Sequence, residues 1–184
     1  MKKKREKIRG RAAAVIAMVL LIAVSIPLGM GLSLVRERNE TTEHYYGSKD
    51  TFGLIEDLHY CSSEAANLAT LGGKYLAADD ARLVNVRETA GALTAAEYPA
   101  EKAAAYTKLT QEVNTLYNAL CDTEMSAQDA EYREEIYVNY KTYVDLVSYN
   151  EYNVRATEFN ETLRNAPGRP IAALMGVREL ELFA

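Results

Sequence analysis

The chain has little with which to do chemistry. Its 184 residues hold two histidines and two cysteines. Beyond residue 50 the only histidine is His59. Metal centres need several ligands at set spacings, and neither a zinc nor a redox spacing occurs. Glu56-Asp-Leu-His59 has the i, i+3 carboxylate–histidine step of di-iron bundles, but that site needs a second copy and two further glutamates. His59 is therefore read as a structural or surface residue. No glycine-rich run is present to cradle a phosphate, and no turn-bounded alternation of period two marks a strand. Cys61 follows His59 by two residues and falls on another face of a helix, which excludes an argument for Cys–His catalysis. Asp79–Asp80 and Glu134–Glu135 read as helix-start and solvated-face charges. No catalytic, cofactor-binding or metal-ligating residue is assigned.

The most consequential absence is of charge, over residues 12–35. Twelve of these twenty-four residues are Leu, Ile or Val. Together they favour insertion into a bilayer by about −5 kcal/mol before polar terms. As a helix, Ala12 to Val35 would be roughly 36 Å long, against a hydrocarbon core of about 30 Å. Pro27 would kink it. Residues 1–11 carry seven bases (Lys2, Lys3, Lys4, Arg5, Lys7, Arg9 and Arg11) against Glu6. By the positive-inside rule this tail is cytoplasmic and the rest of the chain lies outside the plasma membrane. A cleaved signal peptide is the rival reading. The run to Val35 is longer than a usual signal core and no A-x-A-like site appears, so the segment reads as an uncleaved anchor.

Residues 36–184 keep 14 bases against 25 acids, a net charge of −11. That excludes nucleic acid as a partner and disfavours lying flat on an anionic leaflet. Cys61 and Cys121 could pair outside the cytoplasm or serve as small helical residues. Residues 36–49 are polar and read as a juxtamembrane linker in which His44 is solvated.

From residue 50 the pattern is helical. Leu54, Leu58, Cys61, Ala65, Leu68, Gly72 and Tyr75 recur in steps of three and four. Asp79 or Asp80 would cap a shorter helix carrying Leu83, Val86, Ala90 and Leu93. Thr94-Ala-Ala-Glu97 has capping-box spacing and Pro99 suits a first turn. The helix after them carries Ala103, Tyr106, Leu109, Val113, Leu116 and Leu120. Ser126-Ala-Gln-Asp129 opens the longest helix, expected to run unbroken to Pro167. It has two stripes out of phase: Tyr137, Tyr140, Val144 and Val147, then Tyr149, Tyr152, Ala156, Phe159, Leu163 and Ala166. The tyrosines read as an inter-helix seam with hydroxyls at the rim. Asn153 and Asn160, seven apart beside that seam, either bond a neighbouring helix or its end, or face solvent. The apolar stretch Ile171–Val177 must dock on the bundle or on a partner, being too short to span a bilayer. The expected fold is all-α: one transmembrane helix, then an antiparallel bundle of three long helices and one short one over 50–184.

Tyr152-Asn153, Phe159-Asn160, Leu163, Pro167, Ile171-Ala172, Leu174 and Gly176 follow one another with the spacing of the LemA family of bacterial membrane proteins, which the chain resembles. Tyr98-Pro99-Ala-Glu-Lys102-Ala103 and the ending Leu180-Glu-Leu-Phe183 are also similar to that family. Phe159 stands where the family has a second Tyr, Ala166 for an aromatic, and Val177 for a Phe. The family's basic Leu-Lys-Arg-Arg stretch is missing after the anchor. The resemblance implies a divergent, shortened member with an N-terminal anchor and a long helical bundle, and it implies no activity. Descriptions of that family put the short N-terminus outside; the bases at 1–11 argue the reverse. The expected function is a membrane-tethered, non-enzymatic interaction or scaffold protein of the bacterial cell envelope, touching lipid through Ala12 to Val35 and an unidentified protein partner. The alternative is a ligand- or metal-sensing module, or an enzyme, with a polar pocket at the Tyr152/Asn153 and Phe159/Asn160 seam.

Overall fold

A computed structural model describes residues 2–165 and 167–184, with side chains from Ala13 onward, and all regular structure in them is helical. The elements are α1 (Lys2–Tyr46), α2 (Leu54–Gly72), α3 (Ala81–Ala95), α4 (Pro99–Cys121), α5 (Ala127–Tyr149), α6 (Tyr152–Arg164) and α7 (Gly168–Met175). Ala166, assigned above to the last stripe, and the side chains of the basic tail lie outside the described residues.

α1 divides into two halves by environment. Its apolar half leaves Val15, Leu20, Leu21 and Leu28 more than half exposed, and from Ala13 on it is long and apolar enough to cross a membrane. Its polar half does not form the expected linker over 36–49; the helix continues to Tyr46. Two causes are visible. Arg36 and Glu40 form an i, i+4 ion pair at 2.7 Å on the outer side, a contact that supports helix. Leu34, Thr41 and Tyr45 are buried on the inner side, spaced to share one face. The helix stops at Gly47, whose φ of +82° reverses the chain at little cost only without a Cβ.

α2 to α5 surround the main core, and contacts set their directions. Ser62 donates to the Ala90 carbonyl at 3.0 Å, and Gly72 abuts Leu83, so α2 and α3 run oppositely. Lys102 donates to the Leu93 carbonyl and Asn85 to Glu112, which turns α4 back along α3. Arg133 donates to the Leu120 carbonyl and Tyr140 to Thr110, which turns α5 back along α4. The expected stripes of α2, α3 and α4 are buried or half-buried throughout. Between α4 and α5 the filling is aromatic. Tyr117 and Tyr137 stack at 3.7 Å, while their hydroxyls reach Glu134 and Asn114 at the rim.

Two helix boundaries differ from expectation. Thr94 does not cap α4; it lies within α3 and donates to the Ala90 carbonyl. Glu101 faces the N–H groups of Glu97 and Tyr98 instead, with Pro99 opening the helix. Asp80 and Ser126 do cap, accepting from Arg82 N–H and Asp129 N–H. The longest expected helix is two helices. Asn150 leaves helical geometry at ψ 130°, accepts from the Tyr152 N–H at 2.8 Å, and donates to the His44 carbonyl of α1 at 3.1 Å. The phase shift between the stripes is thus a break, because an Asn side chain there satisfies the new helix start and the end of α1 together. Tyr149, placed in the second stripe, is 82% exposed.

Candidate functional site

The densest polar arrangement lies along α6. Helical spacing puts Tyr152, Ala156, Phe159 and Leu163 on the buried face, with Asn153 and Asn160 beside them two turns apart. Both asparagines meet the backbone of residues 180–183, which follow α7 without regular structure. The Asn160 amide donates to the Leu180 carbonyl and its oxygen accepts from the Leu180 N–H, each at 2.8 Å. Asn153 repeats this with Phe183: its amide donates to the carbonyl, and its oxygen accepts from the N–H at 2.8 Å. The Tyr152 hydroxyl donates to the Glu181 carbonyl between them. A side-chain amide has one donor edge and one acceptor edge, the same pair a peptide unit offers. The two asparagines therefore hold the last residues as a neighbouring strand would. The sequence left open bonds to a neighbouring helix or its end, or a solvated face; the partner is neither, being the non-helical backbone beyond α7.

The same seam holds α1. Tyr45 is buried against the Tyr152 ring at 4.8 Å and against Tyr46 at 4.9 Å. Burial, reinforced by Tyr46, Tyr152 and Glu181, holds its hydroxyl well above the usual phenol pKa. That hydroxyl is fully enclosed without a hydrogen-bond partner. Phe183 reaches across to Tyr106 of α4 at 6.0 Å. Arg164 and Glu179 close the other end of the tail in a two-pronged ion pair at 2.6 and 2.8 Å. Sequence reasoning found the asparagines and missed Tyr45 and Asn150. The spacing of Leu34, Thr41 and Tyr45 was the available signal for Tyr45.

Two clefts are lined by residues other than Tyr152, Asn153, Phe159 and Asn160. One of about 180 Å³ is lined by Ile55, Leu58, His59, Leu93, Thr94 and Lys102. His59 is exposed at its edge, while burial lowers the pKa of Lys102, whose ammonium is tied to the Leu93 carbonyl at 3.1 Å. Asp57 nearby is raised by burial and by Glu56. A second cleft of about 390 Å³ lies between Met30, Ser33, Leu34 and Glu37 of α1 and the α6–α7 corner. Among the described residues no three His, Cys, Asp or Glu side chains stand together as a metal-ligating group. Both cysteines are free. Cys61 is buried, and burial with the nearby Asp57 charge pushes its thiol up to about 12, which makes it a poor nucleophile.

Fold and seam together define an all-helical protein in which a long apolar helix is keyed to a bundle by a self-bonded C-terminal tail. Compared more widely, the chain matches no family model, no curated protein and no solved structure.

Proposed function

We propose that this chain is a membrane-tethered helical interaction protein of the bacterial cell envelope, without enzymatic activity. In this reading α2 to α5 form an antiparallel bundle presented outside the plasma membrane, the basic tail is cytoplasmic, and the chain is a divergent LemA-like protein. The observation that carries the reading is the change of environment within α1. The same helix leaves Val15 to Leu28 uncovered and then buries Leu34 and Tyr45. Apolar side chains exposed on every side need lipid around them. The seam supports the non-enzymatic reading over a ligand pocket, because the polar groups of Asn153, Asn160 and Tyr152 are engaged by the chain's own backbone.

Protease treatment of intact spheroplasts carrying a C-terminal epitope tag tests the topology. Loss of the tag while cytoplasmic markers survive is the expected result. Protection until the membrane is opened would reverse the orientation, and recovery of the intact chain in the soluble fraction would remove the anchor.

A further inference from the structure

The short helix α7 carries an apolar face that the protein does not cover. Its residues Gly168 to Met175 include one charge, Arg169. Ile171 and Ala172 are buried, and Met175 packs against Gly31, where any larger residue would collide with its side chain. The opposite side presents Pro170, Ala173 and Leu174, in i, i+3, i+4 relation, and Leu174 is 76% exposed. A helix apolar on both sides is stable where both sides are out of water.

Its place on α1 says what covers the second side. Gly31 lies four residues before Val35, the end of the uncharged run, or about 6 Å back along the helix. The uncharged run, at roughly 36 Å, exceeds a hydrocarbon core of about 30 Å by a similar length. Gly31, and α7 packed on it, therefore fall at the boundary between acyl chains and headgroups. Arg169 in the first turn of α7 and Arg178 just beyond its end are both exposed, and basic side chains serve as anchors at that depth. The geometry points to α7 as an interfacial helix, its Pro170–Ala173–Leu174 face immersed in the leaflet on the domain's side. This holds the bundle to the surface at a second point, through apolar contact rather than through charge, in keeping with the domain's net of −11. It rests on the reading of α1 as a spanning anchor.

The test uses the full chain with Cys121→Ser, which leaves only the buried Cys61, in phosphatidylcholine nanodiscs open to buffer on both faces. An environment-sensitive fluorophore is placed in turn at Leu174→Cys, Leu20→Cys and Tyr149→Cys. Tyr149 is the aqueous control, since its neighbour Asn150 bonds His44, some thirteen residues beyond Gly31 on α1. The expected result is that the probe at 174 is quenched several-fold less by iodide than the probe at 149. It should also be quenched more by a nitroxide near the lipid headgroup than by one near the chain end. Iodide access at 174 equal to that at 149 overturns the inference, and so does shielding from iodide without quenching by lipid, which would mean a protein cover. The probe at 20 separates the two readings. Quenching there by the deep nitroxide with an open 174 leaves the anchor standing and removes α7 from the leaflet. No lipid quenching at 20 removes both.

Discussion

Asn160 is 5% exposed and bonds both backbone groups of Leu180, so truncating it leaves a buried N–H and a buried carbonyl without partners. Asn160→Ala should cost about 2–4 kcal/mol, read as a fall in the denaturation midpoint and faster amide exchange at Leu180. Asn153→Ala, at a half-buried site, should cost about half as much. Asn160→Asp gives a sharper test. The carboxylate keeps the acceptor for the Leu180 N–H but turns an oxygen toward the Leu180 carbonyl, where only a protonated acid can donate. Its folded pKa is thereby raised above the unfolded value of about 3.9. The sign follows: the defect relative to wild type is smallest at low pH and grows as pH rises through the interval between those values. A defect independent of pH would mean that the tail is not held by donation from residue 160. Tyr45→Phe runs in the other direction. It removes an enclosed hydroxyl that has no partner while keeping the ring on Tyr152. The variant should be neutral or more stable by up to about 1 kcal/mol; a loss beyond that would show that the hydroxyl is satisfied in solution. Asp80 is held down to about 2, chiefly by the Arg82 side chain and then by the Arg82 backbone N–H. Its contribution is complete above pH 4 and is lost as pH falls toward 2. Thermal midpoints of wild type and Asp80→Asn in detergent should therefore differ at pH 6 and converge near pH 2.

At the scale of elements, what was legible in the sequence was whatever a single helix determines about itself. The stripes of α2, α3 and α4 announce their buried face through local period, and Asp80 and Ser126 cap helices with side chains a few residues from their targets. What escaped is set by partners far along the chain. Residues 36–46 look like a linker because their composition is polar. They are helical because Thr41 and Tyr45 are buried, Tyr45 against Tyr152 of α6, more than a hundred residues later. The break at Asn150 showed only as a change of phase, since the His44 carbonyl that rewards it carries no signature in sequence. The seam divides in the same way. The spacing of Asn153 and Asn160 left a helical partner and solvent both open, because the actual partner is main chain, whose groups any residues at 180–183 would present. A prediction follows for the tail as an element. Removing residues 179–184 strips the covers from Asn153, Asn160 and Tyr152 at one stroke. Combining that truncation with Asn160→Ala should cost little more than the truncation alone, since both remove one network. Additive losses in chemical denaturation would mean that Asn160 has a second role.

For the molecule as a whole, the proposed reading of α1 as one helix shared between two environments has a mechanical consequence. A flexible linker of eleven residues would let the domain sample a range of heights, roughly 5–6 Å times the square root of its length. A helix over Arg36 to Tyr46 fixes that separation at about 16 Å and transmits rotation as well. It is tied on three counts: at its far end Tyr45 against Tyr152 and the His44 carbonyl to Asn150, and just before its near end Leu34 within the common core. Domain and anchor should therefore move as one body. Spin labels at Leu20 and Val138, both exposed, give a direct measure through pulsed dipolar distances in nanodiscs. A single narrow distribution is expected for the wild-type helix. Placing Gly-Gly at Asn39 and Glu40, both exposed on the outer side of α1, should weaken the helix by about 1–2 kcal/mol yet leave the distribution narrow, because the packing at Tyr45 holds the far end. Adding Asn150→Ala and Tyr45→Ala to those glycines removes two of the ties that tertiary structure supplies, and the distribution should then broaden. Broadening with the glycines alone would place the stiffness in the helix itself; a broad wild-type distribution would mean that the domain hangs from its anchor instead of standing on it.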